Sequence, residues 1–234
     1  MISVRPSPAT LSVIVALTTV YIVWGSTYLA IAYVVETLPP FIAAGARFLA
    51  AGLMLGAFLL ARDRWRRGRG APASVQAPRL AEWRTALIVG SLLLLGGNGM
   101  VMVAEQTIPS GIAAVIIATV PIWMSVFDAA LTRRRPSFLA LGGLVVGLVG
   151  VAILLLPSEG FEALDPIGIG FLVVATISWA AGSLYARHGP LPHNQLMGTS
   201  MQQLAGGAAL VVVALVVGEL GSLDLGAVSP ESWL

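Results

Sequence analysis

Seven apolar runs, each about 20 residues long, dominate this chain. A helix rising about 1.5 Å per residue needs that length to cross the ~30 Å hydrocarbon core of a bilayer. The runs lie at 11–33, 40–61, 85–104, 109–131, 138–156, 166–186 and 196–217. Of 234 residues, 57% are hydrophobic and 10% charged, well short of the roughly 25% charged residues of a water-soluble domain. The expected fold is all-α: a polytopic membrane helix bundle of about seven transmembrane helices.

The linkers sort their charges by sign. Arg5 precedes the first run. The second linker carries Arg62, Arg64, Arg66, Arg67, Arg69, Arg79 and Arg84, the fourth Arg133, Arg134 and Arg135, and the sixth opens with Arg187 and His188. The linkers between carry Glu36, then Glu105, then Glu159, Glu162 and Asp165; Glu219, Asp224 and Glu231 follow the last run. Basic loops stay on the cytoplasmic side of a bilayer. The expectation is a multi-pass protein of the plasma (inner) membrane, N-terminus cytoplasmic and C-terminus extracytoplasmic.

All 13 basic residues are Arg. A pI near 9.5 would suit nucleic acid, but clustering in short linkers points to an anionic leaflet instead, and no nucleic-acid partner is expected. Absence of Cys excludes disulfides, thiol nucleophiles and Cys-ligated metals. His188 and His193 share a linker with no acidic neighbour in sequence, so neither metal nor cofactor is expected. The linker 62–84, with Gly68, Gly70, Pro72 and Pro78, reads as a flexible cytoplasmic loop. Arg5, the first run and Ala30-Ile31-Ala32 mimic a signal peptide. The run is too long for one, and Trp24-Gly25-Ser26-Thr27-Tyr28 interrupts it.

The chain also matches itself. A shift of 155 residues carries Trp24 onto Trp179, Ile22 onto Ile177, Leu29 onto Leu184, Ala50 onto Ala205, Gly52 onto Gly207 and Leu55 onto Leu210. The same shift carries Arg47 onto Gln202. Five runs separate the copies, so the second enters the bilayer from the opposite side. Inverted repeats of this kind recur in secondary transporters, with the substrate site between the halves.

Trp24-Gly25-Ser26-Thr27-Tyr28, Pro39-Pro40 and Ala46-Arg47-Phe48-Leu49 are followed by Ala104-Glu105-Gln106, Pro109-Ser110-Gly111 and Ala118-Thr119-Val120-Pro121-Ile122-Trp123. In order and spacing these resemble an EamA-type protein of the drug/metabolite transporter superfamily, and Trp179-Ala180 resembles the opening of its second repeat. The resemblance implies ten helices in two inverted five-helix repeats, moving small metabolites, drugs, amino acids or sugars. On that pattern 1–157 is the first repeat. Residues 158–234 are an incomplete second repeat with two helices, ending where an eighth would begin. The implied function is secondary transport by alternating access, with export the expected direction. A truncated, non-transporting membrane protein or helix-bundle scaffold is the alternative.

Several residues are candidates for the substrate site. Arg47 lies about 10 Å below the outer boundary at helical rise, where a charge is costly. It contacts an anionic substrate, pairs with Glu105, or snorkels outward. Trp24, Thr27 and Tyr28 in the first run and Trp179 in the sixth form matched polar-aromatic patches, suited to a shared cavity or to an aromatic belt. Gly96-Gly97-Asn98-Gly99 weakens the third run, either to expose Asn98 and backbone to a cavity or to pack helices closely. Gln202 needs a partner from substrate or from another helix. Pro121 is expected to kink the fourth run by clashing with the Ile117 carbonyl, a candidate hinge. Gly143 and Gly147 form a GxxxG expected to pack helices, within the chain or in a homodimer. Asp128 is expected to be paired or solvated near Arg133, and Glu105 is a minor candidate for proton coupling.

Rival functions fit less well. A retinal protein needs a Schiff-base Lys, and there is none. An intramembrane protease needs a Ser with a base, or paired Asp; Asp128 is the only Asp inside a run and both His lie in a linker. A channel wants a charged or carbonyl-lined ring, and none stands out. The expected protein is not an enzyme, and its partners are the lipid bilayer and a small-molecule substrate.

Overall fold

A computed structural model describes residues 8–133, 138–155, 165–224, 226 and 228–233. The helices are α1 (Pro8–Thr37), α2 (Pro40–Arg67), α3 (Leu80–Gly90), α4 (Met100–Ala104), α5 (Ser110–Ile117), α6 (Val120–Thr132), α7 (Phe138–Leu155), α8 (Pro166–His188) and α9 (Gln195–Val217). A π-helical stretch, Ser91–Gly99, joins α3 to α4, and short 3-10 turns follow at Glu219–Ser222 and Pro230–Trp233. Among the described residues six runs are long and apolar enough to span a bilayer: Leu11–Thr37, Pro40–Arg67, Leu80–Ala104, Ser110–Thr132, Pro166–His188 and Gln195–Val217. The expected fifth run is α7, an 18-residue helix without a charge. The linker charges Arg5, Arg134, Arg135, Glu159 and Glu162 lie outside the described residues.

Helix starts follow local chemistry. The Asp165 side chain accepts from the amides of Ile167 (3.0 Å) and Gly168 (3.2 Å) to cap α8. The Asn194 side chain accepts from Leu196 (3.1 Å) and Met197 (3.3 Å) to cap α9. Helix α2 starts behind Pro39, which offers no side-chain acceptor. Its amides at Phe41 and Ile42 donate instead to the carboxylate of Glu219, at 3.1 and 2.8 Å, reaching over from just beyond α9. Negative charge at that end also complements the helix dipole.

Small residues decide how the helices pack. A Cβ on Gly52 would stand 3.0 Å from Leu204 Cγ and N, and one on Gly207 would stand 3.0 Å from Leu49 Cγ and N. The contact of Gly45 with Val211 is likewise mirrored by that of Gly56 with Ser200. Each of these four contacts thus becomes its counterpart under the 155-residue shift. Backbones approach this closely only where side chains are absent. The larger apolar core gathers Ile31, Phe41, Val101, Ile108, Leu172 and Leu210 around this pair, and a smaller cluster joins Leu59, Ala86, Met197 and Met201. Outward, large side chains such as Val15, Ile22, Met54, Phe58, Val146 and Val216 are exposed, as a lipid-facing surface requires.

The fourth run breaks where Pro121 forbids continuation. Helix α5 ends at Ile117 and α6 restarts at Val120. The Thr119 hydroxyl and amide both turn back to the Ile116 carbonyl, at 2.6 and 3.0 Å, which satisfies part of the freed backbone. The basic linker read as a flexible loop is fastened at one point. Fully buried Asp63 accepts from the Ser74 amide (2.6 Å) and hydroxyl (2.7 Å) and from the Val75 amide (3.2 Å), and pairs with Arg67 at 2.7 Å.

Candidate functional site

Three glycines fall within four residues of the third run; Gly96 and Gly97 meet α8, and Gly99 meets Leu210 on α9 and Phe41 on α2. Around Gly96-Gly97-Asn98-Gly99 the ladder widens to π-helical spacing, a form that recurs at functional sites. A Cβ on Gly97 would collide with the indole of Trp179, and one on Gly96 would stand 2.7 Å from the Ser178 hydroxyl. These glycines therefore pack, and the Asn98 side-chain amide donates to the Leu93 carbonyl at 3.2 Å. The Trp179 ring could not sit this close if Gly97 carried a side chain.

Above Gly97 the indole of Trp179 meets that of Trp24, ring centroids 5.2 Å apart and planes inclined at 48°. The separation lies within the range of about 4.5–7 Å over which aromatic pairs attract, and the tilt is midway between stacked and edge-to-face. Trp24 and Trp179 are counterparts in the internal repeat, so their contact joins α1 to α8. Tyr28 lies one turn along α1 and packs on the larger core. Trp24 is 46% exposed, so the pair is open on one side. The arrangement is an aromatic platform with a polar backbone beneath it, suited to stacking a flat or amphiphilic group rather than to bond-breaking chemistry.

The other candidates stand apart from the platform. Thr27 donates to the Val23 carbonyl at 2.8 Å, inside its own helix. Arg47 is exposed, its guanidinium 4.6 Å from the Phe48 ring centre. Among the described residues the ion pair is Arg67–Asp63, so the alternative of an Arg47–Glu105 pair is not realised. Gln202 is half-buried on α9, and its neighbour Gln203 holds a buried side-chain oxygen without a donor. Pro121 sits at the start of α6. Among the described residues no helix closes on Gly143 and Gly147. A Cβ on either meets nothing within 4 Å, and both line a gap of about 130 Å³ with Thr119, Pro121 and Ile122. Asp128 is exposed.

Asp63, which stands between Arg62 and Arg64, is not among the sequence candidates, and Glu105 is there only as a minor candidate for proton coupling. Glu105 looked interfacial, yet it is buried, and both carboxylate oxygens lack a hydrogen-bond partner. A polar cleft of about 550 Å³ also opens between the two linkers at the basic end, lined by Ser74, Arg79, Glu82, His193 and Asn194 among others.

Residues 11–156 match the EamA-like transporter family. The chain is similar to the uncharacterized inner membrane transporter YedA of Escherichia coli (strain K12), 40% identical over 207 residues that cover 87% of this chain and 62% of that protein. It is 24% identical over 82% of its length to a WAT1-related chloroplastic protein of Arabidopsis thaliana, covering 45% of that protein. It is 23% identical over 85% of its length to an uncharacterized transporter of Archaeoglobus fulgidus, covering 65% of that protein. The chain spans less than two thirds of the length of each of these relatives. No solved structure matches it.

Proposed function

Because the chain belongs to the EamA-like transporter family, we propose that it is an inner-membrane secondary transporter that moves an amphiphilic small molecule by alternating access, in the direction of export. Its two repeats, 1–157 and 158–234, meet with opposite orientation, the N-terminus in the cytoplasm and the C-terminus outside. The observation that carries this reading is the contact of Trp24 with Trp179 over Gly97, because counterparts from two inverted repeats converge there. The reciprocal contacts of α2 with α9 support the same symmetry.

Substrate would stack on the exposed face of Trp24, with Tyr28, Trp179 and Asn98 beside it. Arg47 and Gln202, at equivalent depth on α2 and α9, would select anionic or hydrogen-bonding groups at the approach. Pro121 would act as the hinge, with room supplied by the gap beside Gly143 and Gly147. The test is a flux screen over amphiphilic metabolites in proteoliposomes. Transport should be saturable and should fall at least about fivefold in Trp179→Ala, since loss of one aromatic face removes ~1–3 kcal/mol of stacking. Flux that is indifferent to Trp24→Ala and Trp179→Ala alike would reject the platform as the site.

A further inference from the structure

Glu105 occupies the turn between α4 and α5, outside the spans Leu80–Ala104 and Ser110–Thr132. The turn is fixed on both sides. The Thr107 hydroxyl donates to the Asp165 carboxylate at 2.9 Å, and Ile108 and Thr107 press on Gly168, where a Cβ would stand 2.6 and 2.8 Å from them. The Glu105 side chain is 8% exposed, and among the described residues neither oxygen has a donor. A buried carboxylate without a donor is among the costliest arrangements in a fold. The neutral acid avoids that cost, and burial pushes this carboxyl up to about 8.

The charged neighbours offer no relief. On α1, Tyr28 is the group electrostatically coupled to Glu105; Tyr33 and Glu36 lie further along the same helix. Helix α2 brings Arg47, which rests on Phe48, and Asp63, engaged with Arg67 at the far end. The π-helical stretch, α4 and α5 contain no titratable residue. Helix α8 brings Asp165, committed to its own first turn and Thr107, while Tyr185, Arg187 and His188 sit at its other end. Among the described residues, then, no cation compensates the carboxyl, and Tyr28 is the group electrostatically coupled to it.

We propose that Glu105 is a reversible proton-binding site, protonated while the α4–α5 turn is buried and deprotonated when that turn opens to water, so that the conformation of the bundle is linked to the proton gradient. The proposal rests on the alternating-access reading above, which it supplies with a coupling ion. The only species exchanged is H⁺, taken up by a carboxylate oxygen and returned to solvent. The sign follows from the burial. Between the ordinary glutamate value of 4.5 and about 8 the buried form holds a proton that the opened form does not, so rising pH favours opening.

The test uses the whole chain in lipid nanodiscs with H⁺ as the probe. Infrared difference spectra should show a protonated carboxyl band that disappears as pH rises through about 8, and Trp fluorescence should change over the same window. Glu105→Gln should lose the band and flatten the fluorescence profile while keeping its fold by circular dichroism; Glu105→Asp should restore a titration with a moved midpoint. A wild-type protein with no such band between pH 6 and 10, or a band that survives Glu105→Gln, overturns the proposal. If Glu105→Gln fails to fold, ¹³C-carboxyl NMR of wild-type protein labelled at Glu decides, a single Glu signal titrating near 8 being the required result. A titrating Glu105 in a protein that moves none of the screened metabolites would count against the transport reading, not against the proton site.

Discussion

Gly97 shows how one residue can commit a whole site. Any side chain at this position would enter the Trp179 ring, so Gly97→Ala must displace the indole or the helix. Overpacking of this kind costs about 1–3 kcal/mol. We expect a lower thermal midpoint in detergent and a loss of the Trp24–Trp179 contact, read as altered near-ultraviolet dichroism. Ala at Gly111, where a Cβ meets nothing within 4 Å, should leave the near-ultraviolet signal unchanged. The internal repeat makes the equivalence of Trp24 and Trp179 legible in the sequence, but that their rings meet came from the fold. The burial of Glu105 and Asp63 was not legible. A charged residue next to an apolar run has the same local pattern whether water or protein surrounds it, and only the fold decides which.

Helices α2 and α9 carry the symmetry of the molecule in their glycines. If the contacts are equivalent, Gly52→Ala and Gly207→Ala should destabilise equally, each by about 1–3 kcal/mol of overpacking, measured as matched shifts in unfolding midpoint. A large inequality would mean that the two halves are packed differently. In the fourth run, Pro121→Ala should rejoin α5 and α6 into one helix, raising thermal stability and slowing flux several-fold. Interior proline costs a helix about 3 kcal/mol, and its removal should favour the straight form. The break at Pro121 was readable because ring sterics act within one turn. The partner of Gly143 and Gly147 was not, since a GxxxG spacing specifies a smooth helix face and says nothing of what lies opposite. Here the opposite side is a gap.

For the whole molecule the sign of linker charge predicts sidedness. A topology reporter after Gly70 should read cytoplasmic and one after Glu162 extracytoplasmic; the reverse pair would invert the bundle. Acid should act through the junction of α8. The Ile167 amide, the Thr107 hydroxyl and the Gly168 amide hold the Asp165 carboxyl below its ordinary range. A carboxylate so depressed stabilises the fold above its ordinary pKa of about 3.9, and that contribution is lost as pH falls through the native value. The thermal midpoint should thus drop on strong acidification, and Asp165→Asn should be less stable at neutral pH with a shallower acid limb. The general architecture, helices spanning a bilayer with lipid-facing sides, followed from run length alone, whereas which helix lies against which required the fold.

Glu219 ties the first turn of α2 to a point 177 and 178 residues later in the chain. Two charge-assisted bonds at one end and interlocked glycines along the shared flank brace this pair against sliding and splaying. In the alternating-access scheme proposed above, α2 and α9 would be the stator, and the surrounding helices would turn on that axis.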